Sequence, residues 1–177
     1  MTITIRRCGP DDAAALALVG QATFLESYAG HLPAKDILSH CRTQHAEALY
    51  AAWLETPGYG LWVAELDEGK APVGYAALTP PDLPVAPQDG DIELKRIYLL
   101  HRFHGGGTGA ALLNATISAA CALGARRMLL GVYGANQKAM GFYGRQGFTQ
   151  VGVRRFQVGE NLYDDLVLGR SLRTPEG

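Results

Sequence analysis

Cysteine is scarce in this sequence: Cys8, Cys41 and Cys121 are far apart and odd in number. That spacing argues against a disulfide framework or a zinc ribbon, and reduced thiols in a cytoplasmic protein are expected. Long apolar runs are missing too, with nothing near the roughly 20 residues that span a bilayer, so no membrane association is expected. The opening Met1-Thr2-Ile3-Thr4-Ile5-Arg6-Arg7 puts its charges after its apolar residues, unlike a signal peptide. There is little excess charge. A net charge of −1 argues against a general nucleic-acid partner. What is present is apolar material, 47% of 177 residues, enough for one core. A single domain over residues 1–172 is expected, followed by the polar tail Arg173-Thr174-Pro175-Glu176-Gly177.

The charges are unevenly spread. Residues 1–100 hold seven Lys and Arg against thirteen Asp and Glu, whereas residues 101–177 hold nine against four. Opposite fields would steer a phosphorylated ligand to one part and a cationic one to the other. Variation on solvated faces is the plainer alternative, and both stay open.

Thr2 to Arg6 alternates polar and β-branched residues, as a first strand does. Gly9-Pro10-Asp11-Asp12 stops that strand and opens a helix, with acidic residues at its positive end. Leu16, Val19, Phe24 and Leu25 carry this helix to about Tyr28. After Pro33 a second helix is expected, running through Ile37, Leu38, Ala46, Leu49, Tyr50, Trp53 and Leu54 to Thr56-Pro57-Gly58. Leu61–Leu66 and Pro72–Leu78 then read as a hairpin turning at Asp67-Glu68-Gly69-Lys70. Residues 79–90 hold four prolines and no apolar period, so a loop is expected. Ile92–Leu100 is a strand, about 108–123 a helix, and Arg127–Val132 a strand. Asn136 caps a helix that stops at Gly147. Phe148–Val158 and Tyr163–Leu172 close the chain as a hairpin. The order is mixed α/β, without the strict alternation of a doubly wound fold.

The chemistry concentrates between Glu93 and Leu113. There a strand, Glu93-Leu94-Lys95-Arg96-Ile97-Tyr98-Leu99-Leu100, leads through His104-Gly105-Gly106-Gly107-Thr108-Gly109 into a helix. Glycines at that place let backbone N–H groups approach an anion, and the helix start adds partial positive charge. A glycine-rich turn that merely links strand to helix is the alternative. Four glycines in five residues cost backbone entropy, which favours a phosphate ligand. A P-loop would need Lys-Ser/Thr after the last glycine, where Ala110-Ala111 stands. A dinucleotide fingerprint would follow the first strand of its unit, whereas this turn follows the fourth.

The block from His104 to Gly109 resembles the pyrophosphate loop of the GNAT N-acetyltransferases, written Q/R-x-x-G-x-G/A, with His104 in place of Gln or Arg. Asn136, Ala139, Phe142-Tyr143 and Gly147-Phe148 are similar to that family's second signature. Leu94-Lys95-Arg96-Ile97-Tyr98, with the ending Phe156-Gln157-Val158-Gly159 and Asp164-Asp165-Leu166, resembles a bacterial branch that includes PaiA-type polyamine acetyltransferases. The resemblance implies a GNAT-like acyl-CoA N-acyltransferase fold, a central, mostly antiparallel sheet flanked by helices. It implies acetyl-CoA as donor, no metal, and direct transfer to a primary amine through a tetrahedral intermediate. For the acceptor it implies a small molecule, with a polyamine or similar cation ahead of a protein or peptide amine. A silent CoA-binding sensor and a longer acyl donor are the rivals. The oligomeric state stays open, a homodimer included.

The resemblance also implies residue roles. Backbone groups of Ile97, Tyr98 and Leu99 would meet the pantetheine arm, and His104, Gly105, Gly106, Gly107, Thr108 and Gly109 the pyrophosphate. Asn136 would reach the pantetheine while capping its helix. Tyr143 would reprotonate the leaving thiolate, since a phenol with pKa near 10 suits that task. Packing beside Phe142 is the alternative for Tyr143. Glu93 is the first candidate base, against a solvated strand-end carboxylate, with Asp91 in reserve. Phe24-Leu25-Glu26-Ser27-Tyr28-Ala29-Gly30-His31 is expected as the acceptor loop. Glu26 and Tyr28 there would hold a cationic amine by charge and ring face, or would be ordinary surface. Cys121, Trp53 and Trp62 are expected in the core. His40, Cys41 and His45 lack a further ligand for a metal.

Overall fold

The structure, a computed structural model, describes residues 1–172; the tail expected at 173–177 lies outside the described residues. The strands run in the sheet order β1-β2-β3-β4-β5-β7-β6 and are mostly antiparallel. In chain order they are β1 (Ile3–Arg7), β2 (Gly60–Leu66), β3 (Pro72–Thr79), β4 (Asp91–Leu99), β5 (Arg127–Tyr133), β6 (Thr149–Val158) and β7 (Asn161–Ser171). The helices are α1 (Ala13–Tyr28), α2 (Ala34–Gln44), α3 (Glu47–Glu55), α4 (Thr108–Ala122) and α5 (Gln137–Arg145). Two compact units are built from them. One is Met1–Leu78 with Arg96–Thr116; the other is Thr79–Lys95 with the described residues from Ile117 on.

In the first unit β1 pairs antiparallel with β2, Ile3 opposite Leu66 and Arg7 opposite Trp62. The β2–β3 hairpin turns where expected, with Gly69 at φ 76° and Lys70 at φ 55°. Its core gathers Leu16 and Val19 of α1, Tyr50 of α3, Leu61 of β2, and Tyr75 and Ala77 of β3. Leu25 does not join them and stays exposed. Arg6 fixes β1 to the start of α1, reaching Asp12 at 2.8 and 2.9 Å and Glu65 at 3.0 Å. Those bonds, Asp12 first, raise the Arg6 pKa and lower that of Asp12.

The single helix expected after Pro33 is two. α2 ends at Gln44 and α3 begins at Glu47, with Ala46 extended at φ −72°, ψ 143°. Tertiary bonds break it. The His45 carbonyl accepts from Gln21 Nε2 at 3.0 Å, and the Gln44 carbonyl accepts from Arg96 at 2.7 Å. A carbonyl with an outside donor no longer needs the next helical N–H. The expected acceptor loop also moves: Phe24 to Tyr28 belong to α1, leaving only residues 29–33 as connection.

Gly74 shows how close β3 comes to the second half of β4. The Leu100 amide donates to the Val73 carbonyl at 2.9 Å, and a Cβ at Gly74 would lie 2.8 Å from the Tyr98 carbonyl oxygen. Gly74→Ala is therefore expected to destabilise the protein by about 1–3 kcal/mol, since backbone cannot yield as a side chain does. Chemical denaturation measures it. An unchanged midpoint would mean that the strands separate at no cost.

In the second unit Asp91, Ile92 and Glu93 of β4 pair in parallel with Arg127, Met128 and Leu129 of β5. A parallel pair needs a crossover connection, and the chain through α4 supplies it. β5 pairs antiparallel with β7, and β7 with β6, the hairpin turning between Val158 and Asn161. Arg127 clasps Asp91 through two bonds of 2.7 Å. No described helix is long and apolar enough to cross a membrane.

Candidate functional site

The glycine turn lies in the first unit, after the second half of β4. Gly105 and Gly107 adopt φ 83° and 84°, a left-handed backbone that favours glycine. Space is not what demands glycine here, because a Cβ at 105, 106 or 107 would meet nothing within 4 Å. The loop is open on its outer side. α4 starts at Thr108, so its first N–H groups lack intrahelical acceptors. A phosphate fits that arrangement by charge and geometry.

His104, the departure from the family pattern, ties this loop to its strand. Its Nε2 lies 2.8 Å from the Leu99 carbonyl, which can only accept, so Nε2 carries the proton. The Leu99 oxygen keeps a second lone pair. Ile97, Tyr98 and Leu99 are half-buried, and the Tyr98 ring stacks on Tyr75 with centroids 5.9 Å apart.

Glu26 accepts a hydrogen bond from the His101 amide at 2.8 Å, at the start of the short turn before the glycines. Two neighbouring rings, Tyr28 and His40, pack on Phe24, at 4.5 and 4.2 Å. Glu26 thus has a structural occupation that its sequence position did not suggest.

A polar cluster missed in the sequence sits behind these rings. His45 is 3% exposed and its Nδ1 lies 2.9 Å from the Tyr50 hydroxyl, which lies 3.2 Å from the Tyr75 hydroxyl. Arg96 Nη1 donates to Tyr50 Oη at 2.8 Å. Burial first, then the Arg96 charge, pushes His45 down to about 3 and His40 to about 4. Both are neutral near pH 7. Burial likewise raises the phenols of Tyr50 and Tyr75. Gly20 in α1 makes room, since a Cβ there would come within 2.6 Å of both His45 Nδ1 and Tyr50 Oη. That helical glycine was the available sequence signal, because it costs about 1 kcal/mol unless something packs against it.

In the second unit Glu93 is 2% exposed, not the solvated carboxylate weighed as its alternative. Its Oε2 accepts from the Asp82 amide at 2.7 Å, and Oε1 lies 3.9 Å from Lys95 Nζ. The carboxylate therefore pins the proline-rich loop while keeping lone pairs on Oε1. Asp91 is committed to Arg127, whose bond is the main cause that lowers the Asp91 pKa. A cleft of about 370 Å³ beneath that loop includes Asp91 among its walls.

Asn136 caps α5 as expected, its Oδ1 accepting from the Ala139 amide at 3.0 Å. Tyr143 comes two turns later on the same helical face, 9% exposed, edge-on to Phe142 at 5.2 Å and Phe148 at 5.8 Å. Trp62 is buried under Arg7, whereas Trp53 and Cys121 are only half-buried. Among the described residues, no three His, Cys, Asp or Glu side chains converge as a metal site.

The model of the acetyltransferase (GNAT) family matches residues 27–148. Uncharacterized N-acetyltransferases of Mycobacterium bovis and Mycobacterium tuberculosis are each 35% identical over 161 residues, covering 91% of this chain and 98% of theirs. The fold is shared with a PaiA N-acetyltransferase from Thermoplasma acidophilum solved with coenzyme A, at TM-score 0.78 and 20% identity, covering 97% and 99% of the two chains. It is shared too with the Escherichia coli ribosomal-protein-S18-alanine N-acetyltransferase, at TM-score 0.69 and 18% identity, covering 97% and 94%.

Proposed function

Because the chain belongs to the GNAT family of N-acetyltransferases, we propose that it transfers acetyl from acetyl-CoA directly to a primary amine. The open glycine loop carries this reading, being built for a pyrophosphate by its left-handed glycines and the helix start behind it. His104 to Gly109 are the residues proposed for the pyrophosphate and the backbone of Ile97, Tyr98 and Leu99 for the pantetheine, with Asn136 as a further pantetheine candidate. The solved PaiA neighbour, bound to coenzyme A, supports the choice of donor.

The amine nitrogen attacks the thioester carbon and forms a tetrahedral intermediate, which collapses as the C–S bond breaks. Tyr143 gives its proton to the departing thiolate. Glu93 takes a proton from the amine, directly or through water, using Oε1. The Glu26 carboxylate is engaged by the His101 amide. A primary amine is therefore proposed as the acceptor class, without a polyamine preference built on Glu26.

Thiol release measured across an amine panel tests the activity. Release that depends on both acetyl-CoA and an amine is expected. Tight CoA binding with no release from any amine would favour a silent sensor.

Glu93→Gln is expected to lower kcat/KM by about 10²-fold, as loss of a general base does. The amide oxygen can still accept from the Asp82 N–H, so the loop stays anchored. The deficit should shrink at high pH, where the amine arrives deprotonated. A rate equal to wild type across the pH range would leave Glu93 with its anchoring role alone.

A further inference from the structure

Arg96 differs from three of the other half-buried arginines; a fourth, Arg170, also meets no acid among the described residues and donates to the Gln146 carbonyl at 2.8 Å. Arg6 pairs with Asp12 and Glu65, Arg127 with Asp91, and Arg154 with Asp165. Among the described residues no carboxylate pairs with Arg96. Its guanidinium lies over the Trp53 ring at 4.6 Å and near the Tyr50 ring at 5.5 Å, both cation–π contacts. Ring faces attract the cation but supply no hydrogen-bond acceptor.

Nη1 carries two hydrogens, and both are committed, to the Gln44 carbonyl at 2.7 Å and to Tyr50 Oη at 2.8 Å. His45 Nδ1, 3.4 Å from Nη1, is satisfied by the Tyr50 hydroxyl at 2.9 Å. The Tyr50 hydroxyl also lies 3.2 Å from the Tyr75 hydroxyl. One edge of the guanidinium is thus locked in place by backbone and phenol. The other edge, Nε and Nη2, meets no acceptor among the described residues, and those two nitrogens present three parallel-lying donors at most. A planar fork held rigid, charged and unpaired matches a carboxylate bidentately. His40 and His45, pushed down to about 4 and about 3, add no positive charge of their own beside it near pH 7.

We propose that Arg96 is an acceptor-specificity residue whose open edge receives a carboxylate of the amine being acetylated. The acceptor is then an amino acid or a related amino-carboxylate rather than a polyamine, which the same cation repels. This rests on the acetyl-transfer reading above. The other anion within the reaction is the 3′-phosphate of CoA, and the two sources are separable by experiment.

Acceptors are offered as matched pairs, each amino acid from glycine to 6-aminohexanoate against its amide, with thiol release as the readout. For the best pair, kcat/KM of the carboxylate is expected to exceed that of its amide by about 10- to 100-fold, the value of a charge-assisted hydrogen bond. Arg96→Lys keeps a cation over Trp53 but loses the fork, and should shrink that ratio to about threefold or less with the acetyl-CoA KM unchanged. Arg96→Gln, checked for folding by its thermal melt, should abolish the preference. Equal rates within every pair in wild type would overturn the proposal, as would a preference untouched in Arg96→Lys. A variant that instead raises the acetyl-CoA KM, and no longer distinguishes CoA from dephospho-CoA, would place Arg96 at the cofactor and also overturn it. Should no amine yield thiol, the acetyl-transfer reading itself fails. Calorimetry with the N-acetyl amino acids then decides the carboxylate site alone, and absence of Arg96-dependent binding overturns it.

Discussion

Gly107→Asp is expected to weaken CoA binding on the order of 10²- to 10³-fold, enough to remove it from a calorimetric titration. Two effects act together. A carboxylate about 4 Å from a pyrophosphate charge is repelled by roughly 4 kcal/mol at the effective dielectric of a protein surface. The left-handed backbone, φ 84° at Gly107, also disfavours most side chains. Gly107→Asn separates them. Asn tolerates the left-handed region and brings no charge, so it should cost far less. Gly109→Asp, at the second residue of α4, should fail as Gly107→Asp does, since it meets the same ligand. Full CoA affinity in both Asp variants would remove the pyrophosphate from this loop. Equal loss in Asp and Asn would assign the effect to backbone geometry instead.

Tyr143→Phe should separate chemistry from binding. The change deletes one oxygen and keeps the ring that packs against Phe142 and Phe148, so the fold and CoA affinity should hold. Turnover at saturating acceptor is expected to fall by about 10²-fold, the usual worth of a positioned general acid. The proton is needed by the thiolate, so a donor with a better leaving group should narrow the deficit. An unchanged kcat would hand proton delivery to water or another group. A rise in the KM for acetyl-CoA with kcat intact would make the hydroxyl a binding contact.

Much of the fold was legible locally. The alternation of β1, the short apolar runs of β2 and β3, the turn at Asp67–Lys70 and the Asn136 cap are all patterns carried within a few residues. The glycine turn was legible for the same reason, since entropy makes such a run conspicuous wherever it occurs. The break between α2 and α3 was not. Nothing in Gln44-His45-Ala46 forbids a helix, and the carbonyls there are claimed by Gln21 and Arg96, distant in sequence.

Side-chain occupation divided along the same line. Sequence alone determined that a carboxylate stands at 93, a carboxylate at 26, a phenol at 143 and a guanidinium at 96. Only tertiary structure decided that Glu93 is buried against the Asp82 amide and that Glu26 receives the His101 amide. It also decided that Arg96 meets Tyr50 and Gln44 but no acid among the described residues. Composition and periodicity report a residue's own chemistry and its near neighbours along the chain. Whether a charge is spent or left available depends on partners that the folded backbone brings from elsewhere in the chain, 11 residues away for Glu93 and Asp82 and 75 for Glu26 and His101.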